Sequence, residues 1–129
     1  MRDRFKNKNV VITGGSSGIG LATAVEFAKL GANIFLIARD KDKLNKAARI
    51  VRARSGEKPF VAIYSADVRD VIRIKEVIDF IALNHGGIYA VINNAGINHH
   101  GKFENISLDD LHQAMEVNYF GMLNLVKSA

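Results

Sequence analysis

Four short apolar runs recur along the chain, and after each one the apolar residues return at every third or fourth position. Asn9 to Thr13 is a continuous run of the kind that a strand buried on both faces requires. Leu21, Ala24, Val25 and Ala28 then follow at helical spacing as far as Gly31, a residue suited to a left-handed C′ position. Asn33 to Ala38 is a second strand. Asp40 is placed to cap a helix whose apolar stripe is Leu44, Ala47, Ala48 and Val51, and Ser55-Gly56 and Pro59 end it. Phe60 to Ser65 predicts a third strand, and Asp70 caps a helix with Ile74, Val77, Ile78 and Ile81 facing inward. Gly86-Gly87 breaks that helix, Tyr89 to Ile92 predicts a fourth strand, and a polar loop opens at Asn93. Ser107 and Asp110 have the spacing of a capping box for a last helix, from about Leu108 to the C-terminus, with Leu111, Met115, Met122, Leu125 and Val126 as its apolar set.

Strands that alternate with crossover helices pair in parallel through right-handed connections. The expected fold is therefore α/β: one domain over residues 1–129, a three-layer αβα arrangement with strand order 3-2-1-4, half of a Rossmann-type doubly wound sheet. Ligands of such sheets sit beyond the carboxyl ends of the strands, which here carry Thr13, Arg39, Asp67 and Asn93. The first of these ends opens into Gly14-Gly-Ser-Ser-Gly-Ile-Gly20, directly before a helix. Glycines let a ligand approach the backbone, and the free N–H groups of a helix start attract phosphate. A glycine-rich turn can also serve packing alone; the polar residues at all four strand ends favour a dinucleotide site instead.

Composition narrows the function without choosing it. There is no cysteine, so disulfides, thiolate metal sites and thiol nucleophiles are excluded. The formal net charge is +5, with much of the excess in Arg39, Lys41, Lys43, Lys46, Arg49, Arg52, Arg54 and Lys58. No aromatic residue interleaves that run to stack bases, so it reads as a solvated helix face near an anionic cofactor and not as a nucleic-acid surface. His99 and His100 are adjacent and lack a carboxylate or cysteine cluster, so no metal site is expected; as loop residues they border a possible substrate pocket, while His85 and His112 read as surface residues. No run approaches the ~20 apolar residues of a membrane span and the N-terminus has no apolar signal region, so a cytoplasmic location is the expectation.

At this point the residues resemble the short-chain dehydrogenase/reductase family over essentially the whole chain. Thr13-Gly14-x-x-x-Gly18-x-Gly20, Asp67-Val68, Asn93-Asn94-Ala95-Gly96 and Asn118 within Val-Asn-Tyr-Phe-Gly fall in the family's order and places. The resemblance implies that Thr13 to Gly20 hold the pyrophosphate, with a backbone N–H from Ile19. It implies that Asp67 accepts from the adenine amino group and that the Val68 backbone flanks the ring. Asn94, Ala95 and Gly96 would line the ribose and nicotinamide, Asn93 would tie strands together, and Asn118 would distort its helix and hold a water of the proton relay. The second strand ends in Arg39 where a ribose-binding acid would favour NAD(H); with Ser16 and Ser17 as hydroxyl donors, this predicts a preference for NADP(H). Asp40 is the counter-indication, explained by capping. The implied reaction is hydride transfer between nicotinamide and a small carbonyl or alcohol substrate, in a protein that is a homo-oligomer when full length. The Ile-Ala-Arg-Asp, Asn-Asn-Ala-Gly and Gly-Lys-Phe-Glu stretches look most like 3-ketodihydrosphingosine reductases and related long-chain ketoreductases.

The family's chemistry also needs a tyrosine with a lysine four residues later. Tyr64, Tyr89 and Tyr119 are followed at that distance by Val68, Asn93 and Leu123. The expectation is a fold truncated after its fourth strand and following helix: the cofactor-binding half of a longer reductase, inactive alone. The rival readings are a dinucleotide-sensing module without catalysis and a truncated product with no function.

Overall fold

A computed structural model describes residues 4–56 and 59–129. Four strands, β1 (Asn9–Thr13), β2 (Asn33–Ala38), β3 (Val61–Ser65) and β4 (Ala90–Ile92), form one sheet in the order β3-β2-β1-β4, and every pair is parallel. The helices are α1 (Gly18–Lys29), α2 (Lys41–Arg54), α3 (Val71–His85), α4 (Leu108–Met115) and α5 (Gly121–Ser128). The expected architecture and strand order are thus observed.

Burial on both sides explains why the central strands read as unbroken apolar runs. Val10, Ile12, Ile34 and Leu36 pack toward α1 and α2, against Ala24, Ala28, Leu44, Ala47 and Val51. Val11, Phe35 and Ile37 pack on the opposite face against Ile74, Ile78 and Ile81 of α3 and Leu125 of α5. Three predicted caps form: Asp40 accepts from the Lys43 N–H at 3.0 Å, Asp70 from Arg73 at 2.9 Å and Ser107 from Asp110 at 3.1 Å. Gly86 ends α3 with φ +80°, in the left-handed region expected of a C-terminal glycine.

Four expectations need correction. The third and fourth strands begin one residue later than predicted, at Val61 and Ala90; Phe60 and Tyr89 keep one ladder hydrogen bond each, to Ile34 and Asn9. The last helix is not uniform, because a π turn over Glu116–Phe120 separates α4 from α5. Of its apolar set, Met115 and Val126 are 52% and 55% exposed, while Val117, Gly121 and Leu125 form the buried line. His85 is not a surface residue: its half-buried ring lies 4.9 Å from Phe35 and 5.1 Å from Phe60, centroid to centroid. Lys58 of the basic run lies outside the described residues, and the Arg52 guanidinium is taken up by the Val61 carbonyl at 2.6 Å.

The amino end of the sheet is held by Asn9, which is buried. Its amide donates to the His85 and Gly87 carbonyls, both at 2.7 Å, and its oxygen accepts from Asn33 at 2.8 Å. Asn9→Ala strands these groups away from water, so urea unfolding should show a loss of about 2–3 kcal/mol relative to the parent. An unchanged midpoint would show that the bonds contribute nothing.

Candidate functional site

The carboxyl ends of β1 and β4 are joined by a knot of hydrogen bonds. Thr13 is 1% exposed, and its hydroxyl oxygen accepts from the Asn94 and Ala95 N–H groups, each at 3.1 Å. The Asn94 amide nitrogen donates back to the Thr13 carbonyl at 3.2 Å and the Gly14 carbonyl at 3.1 Å. The strand-tying role expected of Asn93 therefore falls to Asn94; Asn93 is exposed and its side chain makes no such bond. The knot also explains two glycines. A Cβ on Gly14 would lie 2.9 Å from the Asn94 amide nitrogen, and one on Gly20 would meet that atom at 2.5 Å and the Gly14 carbonyl oxygen closer still.

This close packing turns the start of α1 outward. Helices α2, α3 and α4 each begin with a capping side chain, whereas Ser17 makes no cap bond and the first turn of α1 has no acidic residue. Its leading N–H groups lack side-chain acceptors, and the positive end of the helix dipole adds to their pull on an anion. Gly18, with φ +52°, has open space where a Cβ would stand. The donor set and the open glycine fit a dinucleotide's phosphates.

In front of that helix start lies a cleft of about 560 Å³. It brings together Gly14, Ser16, Ser17, Gly18, Ile19, Arg39, Asp67, Val68, Asn94, Ala95 and Gly96. Thr13 and Gly20 do not line it; they are buried beneath the loop as its support. Asp40 also lines it; its carboxylate caps α2, and the Lys43 N–H that it accepts from holds it below the ordinary value of 3.8. Lys43 lines the cleft beside Arg39 and was missed in the sequence, although capping spacing from Asp40 places it there.

Asp67 has a partner that the sequence did not reveal. Its carboxylate accepts from Arg69 through Nη2 at 2.6 Å, Nε at 3.0 Å and the backbone N–H at 2.9 Å. The Arg69 hydrogen bond, aided by Arg39 nearby, holds the carboxyl below its ordinary value of 3.8. The next residue, Val68, is fixed from the far side: Asn124 of α5 donates to its carbonyl at 3.0 Å, and a Cβ on Gly121 would come within 2.5 Å of its side chain.

Asn118 sits in the π turn and grips Ile97 with both ends of its amide, accepting from the Ile97 N–H and donating to the Ile97 carbonyl, each at 2.8 Å. Gly96 passes so close that a Cβ would be 3.3 Å from the Asn118 oxygen. These two bonds fix the orientation of the Asn118 amide, and its second lone pair and second N–H remain open. His99 has Nδ1 3.8 Å from Asp110, and its Nε2 is buried without a partner. Among the described residues no three His, Asp or Glu side chains come together as metal ligands. None of the tyrosines suits proton transfer in the cleft. Burial pushes the Tyr64 phenol up, Tyr89 packs beside Phe5 under Lys8 at the sheet's other end, and Tyr119 lies against Phe120.

Two outcomes follow from this packing. Gly20→Ala should lower the thermal midpoint more than Gly18→Ala, because the first collides with Asn94 and Gly14 while the second costs only the left-handed backbone, about 1 kcal/mol; equal effects would contradict the crowding. The Asp67 contribution to stability is full above about pH 4 and lost as pH falls through its lowered folded-state value. Asp67→Asn should accordingly shrink the stability difference between pH 7 and about pH 3 in denaturant titrations; an unaltered acid limb would show the pair to be energetically silent.

A family model described as short chain dehydrogenase matches residues 8–129. The chain is 39% identical over 120 residues to a 3-dehydrosphinganine reductase of Danio rerio, covering 92% of this chain and 36% of that protein. Its fold superposes on L-sorbose reductase from Gluconobacter frateurii, solved with NADPH and L-sorbose, with a TM-score of 0.87 and 32% identity over 99% of this chain and 48% of the other. An NAD+-bound xylitol dehydrogenase gives 0.89 and 27%, over 97% and 47%. The chain spans 35% to 47% of the length of the curated relatives it matches. With the Thr13–Asn94 knot and the uncapped α1 already in place, these matches show that the chain belongs to the short-chain dehydrogenase family.

Proposed function

We propose that this chain is the NADP(H)-binding half of an oxidoreductase that moves hydride between nicotinamide and a carbonyl or alcohol. One observation carries the reading: the uncapped start of α1 opens on the same cleft as Arg39 and Lys43. The N–H groups of Gly18 and Ile19 receive the pyrophosphate, over the loop that Thr13 and Gly20 support. Arg39, Lys43, Ser16 and Ser17 receive the 2′-phosphate; a planar guanidinium suits that group, and the two cations outnumber the single carboxylate of Asp40 beside them. Asp67 and Val68 hold the adenine, while Ala95 and Gly96, with Asn94 behind them, form the wall at the ribose and nicotinamide. When bound, the nicotinamide supplies or accepts the hydride.

The tyrosine-lysine pair and its serine are assigned to residues outside this chain, consistent with its partial span of its relatives. Asn118 contributes by locking Ile97 and, through its backbone, by holding a water of the proton relay. The relatedness to a 3-dehydrosphinganine reductase supports a long-chain keto substrate. Exposed Leu108, Met115, Tyr119, Phe120 and Val126 along α4 and α5 support self-association of the complete protein through that helix. Among the described residues no helix is long and apolar enough to cross a membrane, and we assign the protein to the cytoplasm. A second reading, dinucleotide binding without chemistry, is favoured by the absence of lysine four residues after Tyr64, Tyr89 or Tyr119. A redox assay of the complete protein separates the two.

Fluorescence titration should give NADPH a dissociation constant about tenfold or more below that of NADH, since one charge-assisted phosphate contact is worth about 1.5–3 kcal/mol. Arg39→Asp should reverse the order. NADH binding as tightly as NADPH, or an order that survives the substitution, would overturn the cofactor assignment.

A further inference from the structure

Asp67 is the expected acceptor for adenine, yet nearly all of its hydrogen-bonding capacity is already used. A carboxylate offers about four acceptor positions. Arg69 brings three donors to them: Nη2 on Oδ2 at 2.6 Å, Nε shared between Oδ1 at 3.0 Å and Oδ2 at 3.2 Å, and its own N–H on Oδ1 at 2.9 Å. The Asp67 side chain retains 26% exposure and lines the cleft. We propose that Arg69 is a positioning residue for the adenine subsite: it clamps the Asp67 carboxylate so that the edge left exposed in the cleft meets the adenine amino group. The proposal rests on the dinucleotide reading of the cleft.

Three consequences follow from the geometry. A two-point fork fixes both the torsion and the plane of the carboxylate, which a single cation could not do. The amino group then meets an acceptor that needs no ordering on binding. The clamp is also local, two residues along the same turn, with the backbone N–H of Arg69 as its third contact. Arg69 in turn feels Glu116 at the start of the π turn, and Arg39 acts on Asp67, so cations and carboxylates alternate from the end of β2 to the helix of Asn118. Lysine at position 69 would keep the charge and lose the fork.

The test uses the protein expressed from its complete reading frame and two probes, NADP+ and nicotinamide hypoxanthine dinucleotide phosphate. The second replaces the adenine amino group by a carbonyl, which cannot donate to Asp67. The parent should prefer NADP+ by about tenfold, as one charge-assisted hydrogen bond allows. Arg69→Leu should abolish that preference by weakening NADP+ alone, and Arg69→Lys should retain only part of it. A preference that persists in Arg69→Leu overturns the proposal. Equal weakening of both probes by Arg69→Leu and Arg69→Lys also overturns it, since that would mark Arg69 as a support for the fold only. A parent that binds neither dinucleotide defeats the cofactor reading itself, a result distinct from either.

Discussion

The approach of Asn94 to Gly14 and Gly20 is the constraint on which the rest of the structure depends. A polar side chain from the end of β4 is driven into the turn that leaves β1, where it donates to the Thr13 and Gly14 carbonyls. No Cβ fits at either glycine with that amide in place. The turn must therefore be tight, α1 must start where it does, and its first N–H groups must open on the cleft. The open N–H groups at the start of α1 are a by-product of satisfying backbone groups at a strand junction. Thr13 completes the junction from below, which is why it is buried instead of lining the cleft.

What the sequence made legible was local chemistry. Strands covered on both faces read as unbroken apolar runs, and the caps at Asp40, Asp70 and Ser107 read from single residues beside helical stripes. The fold class and the strand order followed from those signals, while Val68, Asn94, Ala95 and Gly96 of the cleft were found through the family resemblance alone. The last helix was illegible for a physical reason. Apolarity alone selects the large residues Met115 and Val126 as its inner face, but the neighbours select small Gly121, because Val68 occupies the space a side chain would need. A helix gripped at Asn118 by Ile97 and pressed at Gly121 against Val68 accommodates both through the π turn, and that turn has no composition of its own.

His85 and Arg69 were hidden for related reasons. His85 ends a helix with polar neighbours, and only the fold brings Phe35 and Phe60 to its ring. Arg69 follows Asp67 by two residues, a spacing that on a helix or strand would carry no meaning. The pair meets because the chain turns there, and the turn is itself held by Asn124 and Gly121 from the other end of the chain.

That last dependence ties the two ends of the cleft into one object. Val68 stands between the Asp67 carboxylate and the π turn, its carbonyl held by Asn124 and its side chain seated on Gly121. Displacing α5 would move Val68, and the clamp of Arg69 on Asp67 would move with it. At the opposite end the same helix reaches Ile97 through Asn118, immediately beyond Ala95 and Gly96. A single helical stretch thus sets both ends of the cleft, the Asp67–Val68 side and the Ala95–Gly96 side, though neither Asn118 nor Asn124 lines it. The π turn holds the first of these contacts, at Asn118, and ends directly before the second, at Gly121. Its altered register is what allows one helix to satisfy Ile97 and Val68 together, so the irregularity belongs to the binding site rather than to the packing of the sheet.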